Sequence, residues 1–115
     1  MKTFEEHVKL SGKAQKKSGE FLNKIMQTTS DNPVLSYKIE KTLSLKGAQV
    51  RQLVKHFRRT GHPIASTGRG YFYAHSIEEL MPTLDHMKMR RDSINYTMNK
   101  MMEGKLFTED QQSLL

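Results

Sequence analysis

SLKGAQVRQLVKHFRRTGHPIASTGRGYFYAH, residues 44–75, is the stretch on which the fold turns. Val50, Leu53, Val54 and Phe57 follow the i, i+3, i+4, i+7 spacing that lines one face of a helix with apolar side chains. Ser44 suits the N-cap of that helix, since its hydroxyl can accept from a free N–H of the first turn. Gly61 supplies the left-handed residue that commonly closes a helix, and Pro63 follows two positions later. The spacing predicts a helix over about 45–60. HPIAS and GYFYA are then short β-prone segments around the glycine-rich STGRG, the composition of a tight hairpin whose tip needs positive φ. Tyr71 and Tyr73 should face one side of that hairpin and Phe72 the other. One side covers the core together with Ile64, and the remaining ring is expected against the last helix.

At about 100° per residue, the opposite face of the 45–60 helix carries Ala48, Arg51, Gln52, Lys55 and Arg59. Arginine matches guanine O6 and N7, glutamine matches adenine N6 and N7, and Ala48 leaves room for close approach to a groove floor. Arg69 stands between two glycines at the hairpin tip. The bland alternative is an amphipathic helix whose Lys and Arg serve solubility. Charge distribution weighs against it. The chain has a net charge of +7, and residues 36–75 alone carry +7, with +2 before them and −2 after. A cationic field concentrated in this way attracts a polyanion and adds salt-dependent affinity by releasing counterions. An anionic membrane would attract it as well, but these residues border no apolar stripe with aromatic anchors, so no membrane association is expected.

A chain of 115 residues suggests one small domain with appended helix or tails, and its modest apolar content favours dimerisation. There is no cysteine, which excludes a disulfide framework and a thiolate metal site. No apolar run approaches membrane-spanning length, and MKTFEEHVKL is too polar for a secretory signal. The expected location is the cytoplasm, that of a bacterial host if the chain is phage-encoded.

Outward from the central stretch, residues 1–30 read as a basic helical segment. Thr3 and Glu6 have capping-box spacing, and a helix is predicted from about 13 to 27. TTSDNP breaks the chain, and Asp31 or Asn32 is expected to cap a short helix with Pro33 in its first turn. Two short helices so close together fit a helix-turn-helix. Ser76 and Glu79 match a second capping box, which opens a long helix over about 77–103, with a kink or looser turns expected at Pro82. Leu84, Met87, Arg91, Ile94, Met98 and Met101 step by 3 and 4, a heptad seam interrupted once by Arg91. Two readings stay open, a dimerisation helix and one packed on its own domain. If it pairs, Arg91 could meet Asp92 or Glu103 of the second chain and fix register. Residues 105–115 read as a mobile tail, with Leu106, Phe107, Leu114 and Leu115 able to form a docking peptide.

No catalytic constellation emerges. The five histidines never take the i, i+4 spacing with glutamate of a zinc helix. His62 and His75 flank the hairpin, where they could face one another, but two imidazoles alone make a weak metal site. Gly68-Arg69-Gly70 is followed by a strand and lacks the Gly-Lys-Ser/Thr ending of a phosphate loop. Neither enzyme activity nor a cofactor is expected.

The fold class expected is mainly α with a small β-hairpin: a winged helix-turn-helix over 31–76, followed by a long helix over 77–104. LSLKGAQVRQLVKHFRRTGHPIASTGRGYFYAHSIEEL resembles the small winged-helix proteins of bacteriophage and prophage genomes. The likeness lies in Val50-Arg51, Leu53-Val54, Arg58 or Arg59, Gly61, Pro63-Ile64, Ser66, Gly70-Tyr71, Ala74 and Ser76 through Leu80, about one third of the chain. The resemblance implies DNA binding, often in phage replication or gene control, with contacts carried over to Arg51, Gln52, Lys55, Arg59 and Arg69.

Two functions follow as expectations. In the first, a non-enzymatic homodimer binds double-stranded DNA, with the 45–60 helix in the major groove, Ser44 and Arg58 on phosphates, Lys46 at the same helix start, and the hairpin on the neighbouring backbone or minor groove. In the second, the winged helix is a protein-interaction module docking on a host or phage replication or transcription protein, since fold does not dictate function.

Overall fold

The computed structural model describes residues 10–104 and Leu106. The expectations placed on residues 1–9 and on the rest of the tail lie outside the described residues. The elements in chain order are α1 (Gly12–Met26), α2 (Ser36–Leu43), α3 (Gly47–Arg59), β1 (Ile64–Thr67), β2 (Gly70–Tyr73) and α4 (Ile77–Met102). The protein is mainly helical, with one small antiparallel hairpin and a long last helix. It divides into two units between Met81 and Pro82, so α4 begins in the first and continues into the second.

The apolar face read from α3 is the centre of the first unit. Val50, Leu53, Val54 and Phe57 are all buried, together with Ile39 and Leu43 of α2 and Ile64 of β1. α1 joins them through Ala14, Phe21 and Ile25, all fully buried. The Phe21 and Phe57 rings lie nearly parallel, with centroids 5.9 Å apart and planes 9° from each other. Burying a side chain of this size is worth about 1.5–3 kcal/mol. The packed unit therefore includes α1, the helix expected over about 13–27, which shares the core of α2 and α3. Thr28 extends that attachment. Its hydroxyl donates to the Ile25 carbonyl and accepts the Tyr73 N–H at 2.9 Å, joining the end of α1 to β2.

The junction of α2 and α3 differs from the expected one. Ser44 has φ of 54°, in the left-handed region, and closes α2, while Lys46 is the N-cap of α3. Lysine has no acceptor to cap with, so the link comes from the other side: Gln49 Oε1 accepts the Lys46 N–H at 2.8 Å. Leu45, just before the cap, is buried in the same cluster as Val50 four positions into the helix, a hydrophobic staple that fixes the entry angle. The apolar demand of Leu45 moves the helix start past Ser44.

Pro33 does not open α2 either. Val34 is extended, and both its N–H and its C=O bond to Tyr71 at 2.8 Å, giving β2 a one-residue partner on its second edge. α2 starts only at Ser36. β1 and β2 pair with Ile64 opposite Tyr73 and Thr67 opposite Gly70. The expected positive φ is found at Gly70, with φ of 126°, and not within the Gly68-Arg69 turn itself. A Cβ on Gly70 would run into the Val34 carbonyl and come within 2.8 Å of the Leu35 nitrogen. The hairpin faces divide as its alternation predicts. Tyr71 and Tyr73 pack on the main core, while Phe72 is buried with Ala65, Ala74 and Leu80 of α4.

α4 is anchored at its start by a modified capping box. Ser76 Oγ accepts the Glu79 N–H at 3.2 Å, and the Glu79 carboxylate accepts from the His75 N–H at 2.7 Å and the Ser30 hydroxyl at 2.9 Å. The helix then continues through Pro82.

Candidate nucleic-acid interface

α3 presents to solvent the face opposite Val50, Leu53, Val54 and Phe57. Ala48, Arg51, Lys55 and Arg59 are exposed, as is Lys46 at the cap, and Gln52 is half-buried. Ala48, Arg51, Gln52 and Lys55 line one shallow depression together with Gln49 and Ser11. The sequence-predicted residues of this helix therefore share a surface. Ser11 was not among them. It is the residue from which α1 starts, and its backbone N–H points to Gln52 Oε1 at 3.4 Å. That contact matters chemically. Two-pronged reading of adenine uses both the oxygen and the nitrogen of a glutamine amide, so the Ser11 N–H shares the Gln52 oxygen that such reading would use. Position 11 carries no sequence signal for this role, because only tertiary packing brings the start of α1 to α3.

Among the described residues, Lys46, Arg51 and Lys55 take part in no ion pair. One carboxylate is nevertheless close. A Cβ built on Gly47 would lie 3.4 Å from Arg51 Nη1 and 3.5 Å from Glu40 Oε1, so both groups flank the first turn of α3. Glu40 Oε2 accepts the Ser36 hydroxyl at 3.1 Å, which keeps this carboxylate tied to α2. Glu40 is the single acid of residues 36–75. It tempers the positive potential next to Arg51 and leaves Lys55 and Lys46 unaffected by contact.

The other predicted contacts are distributed differently. Ser44 is exposed in the turn before α3, as a phosphate contact requires. Arg58 is not presented outward. Its Nε donates to the Ile64 carbonyl at 2.8 Å and its Nη2 to Ser66 Oγ at 3.4 Å, so it fastens α3 to β1. Of the adjacent pair Arg58 and Arg59, the half-buried one holds the hairpin and the exposed one belongs to the solvent face. Arg69 is exposed at the hairpin turn. Its backbone N–H donates to Thr67 Oγ1 at 3.0 Å, and its guanidinium to the Asp31 carbonyl at 3.4 Å. It lies outside the depression on α3.

His62 and His75 do not face each other across the hairpin. Tyr73 stands between them: its hydroxyl is 2.9 Å from His62 Nδ1, and its ring is 6.4 Å from that of His75. Among the described residues no group of three or more His, Cys, Asp or Glu could hold a metal ion, and no helix is long and apolar enough to cross a membrane. Of the residues expected on a dimerisation seam, Leu84 and Met87 are half-buried, whereas Arg91, Ile94, Met98 and Met101 are exposed. Arg91 is engaged within its own chain, with Nη2 at 3.3 Å from Asp92.

Comparison with family models, curated proteins and solved structures finds no match to this chain.

Proposed function

We propose that the first unit is a winged helix-turn-helix that binds double-stranded DNA without enzymatic activity, in phage-type replication initiation or transcription control. The observation that carries this reading is the outer face of α3, where Lys46, Arg51 and Lys55 are exposed and, among the described residues, outside any ion pair. A second support is the order of elements: α1, the Val34 bridge, α2, α3 and the hairpin, with α3 in the place of a recognition helix.

In this reading Arg51 and Gln52 meet base edges, with Ala48 allowing the helix axis to approach. Lys46, Lys55, Arg59 and the exposed Ser44 meet phosphates, which set affinity and register and carry no base preference. Arg69 meets the neighbouring backbone or minor groove. Arg58 acts indirectly, by fixing the hairpin against α3. Residues 36–75 carry the whole positive excess of the chain, which supplies the long-range attraction.

The test is selection of bound duplexes from a random library, followed by titration of variants on the selected site at several salt concentrations. Arg51→Ala is expected to cost about 1–3 kcal/mol and to relax preference at one base pair. Lys55→Ala should weaken all sequences alike and reduce the salt slope by about one. Arg69→Ala should likewise act on every sequence. Enrichment of no duplex, or binding of the selected site by all three variants as tightly and selectively as by the parent, would remove the proposal.

A further inference from the structure

Arg51 is exposed on the outer face of α3, and one carboxylate stands beside it. Glu40, on α2, is the single acid of residues 36–75 and is half-buried. Its Oε2 accepts the Ser36 hydroxyl at 3.1 Å, one turn back on the same helix. Its Oε1 and the Arg51 Nη1 both lie within 3.5 Å of the point where a Cβ on Gly47 would stand. Glycine at that position leaves the space between the two groups open. Among the described residues they form no ion pair, so Arg51 has a negative charge beside it without being locked to it. We infer that Glu40 is a specificity-determining residue of this face, which reserves Arg51 for a neutral base edge and penalises its use on phosphate. The inference rests on the duplex-binding reading above.

The physical ground is the charge of the acceptor. A guanidinium offers paired N–H groups to a phosphate and to a guanine edge alike. Phosphate oxygens share a full negative charge, whereas guanine O6 and N7 belong to a neutral base. A phosphate on Arg51 would stand about one screening length or less from the Glu40 carboxylate, about 8–10 Å at physiological salt. Like charges at that range repel. The bond to Ser36 hinders the carboxylate from turning away. A base edge meets no such opposition. Non-specific binding is supplied by phosphate contacts, so withholding one cation from them raises the ratio of specific to non-specific affinity.

The test measures the full chain on a duplex selected from a random library and on a scrambled duplex of equal length, at one salt concentration. Glu40→Gln removes the charge and keeps an acceptor for Ser36. It should tighten binding of the scrambled duplex by about threefold or more and move the selected duplex less, so that the ratio between them falls. In an Arg51→Ala background the same substitution should leave the ratio where it was, because the arginine it acts through is gone. Thermal unfolding of Glu40→Gln should match the parent. Should that variant fail to fold, Ser36→Ala, which unties the carboxylate, takes its place in both backgrounds and should lower the ratio in the same direction. An unchanged ratio in the folded variant would overturn the inference. So would a fall that persists without Arg51, which marks a general effect of net charge. Either result, with a duplex enriched and its preference relaxed by Arg51→Ala, removes this inference alone. A parent that enriches no duplex removes the duplex-binding reading and this inference with it.

Discussion

α3 and the distal part of α4 are both helices rich in basic residues, yet they are held in place by different means. α3 buries one full face, Val50, Leu53, Val54 and Phe57, and frees the other for Arg51 and Lys55. From Lys88 to Met101, α4 buries none of its residues and spreads its apolar groups over more than one side, with Met89 and Tyr96 exposed as well as the seam. A helix fixed from behind can hold cationic side chains toward a ligand in a set geometry. The distal part of α4 has no such backing among the described residues.

That contrast is open to direct attack. Phe21→Ala removes a ring stacked on Phe57 in the sealed core, and urea unfolding should show a loss of about 3–5 kcal/mol. Ile94→Ser, on the unsupported stretch, should change the stability of dilute monomer by less than about 0.5 kcal/mol. Equal effects would erase the distinction. Gly70→Ala should follow Phe21→Ala in size, at about 2–3 kcal/mol, because it combines positive φ with a Cβ driven into Val34. Gly61 also has positive φ, of 102°, but has open space around it, so Gly61→Ala should cost about 1 kcal/mol. A reversed order would show that the Val34 contact is not what fixes the hairpin. The smallest effect is expected where α4 leaves the first unit. The His75 N–H, then the Ser30 hydroxyl, hold the Glu79 carboxyl below its usual range. A lowered folded-state value means stabilisation that is present above the unfolded pKa of about 4.3 and lost as pH falls through the folded value. Unfolding midpoints measured from about pH 6 down to about pH 3 should therefore fall slightly more for the parent than for Glu79→Gln.

The parts of the fold that repeat along the chain were legible in it. Periodicity located the α3 face, alternation sorted Tyr71, Phe72 and Tyr73, and Ser76 with Glu79 marked the start of α4. What escaped was set by single contacts. Val34 pairs with Tyr71 through backbone atoms alone, which leaves no pattern to read. Ser44 is a good cap by type, yet burial of Leu45 outweighs that preference. In α1, Ala14 is a small residue amid polar ones, so nothing in its surroundings marks it as a core position, although it is fully buried. In the candidate interface, the face of α3 was readable from spacing. Which of two adjacent arginines turns inward was not, because Arg58 is recruited by a carbonyl on β1. Nor was the role of Ser11, forty-one positions before Gln52.

The Arg58 bonds to Ile64 and Ser66 have a practical consequence for anyone scanning this surface by alanine replacement. Under the proposed function, loss of Arg58 would register as a defect in a retardation assay and invite assignment as a contact to the polyanion. Its signature would differ from that of a true contact: the dependence of affinity on ionic strength would be retained, while protease nicking between residues 64 and 73 would accelerate.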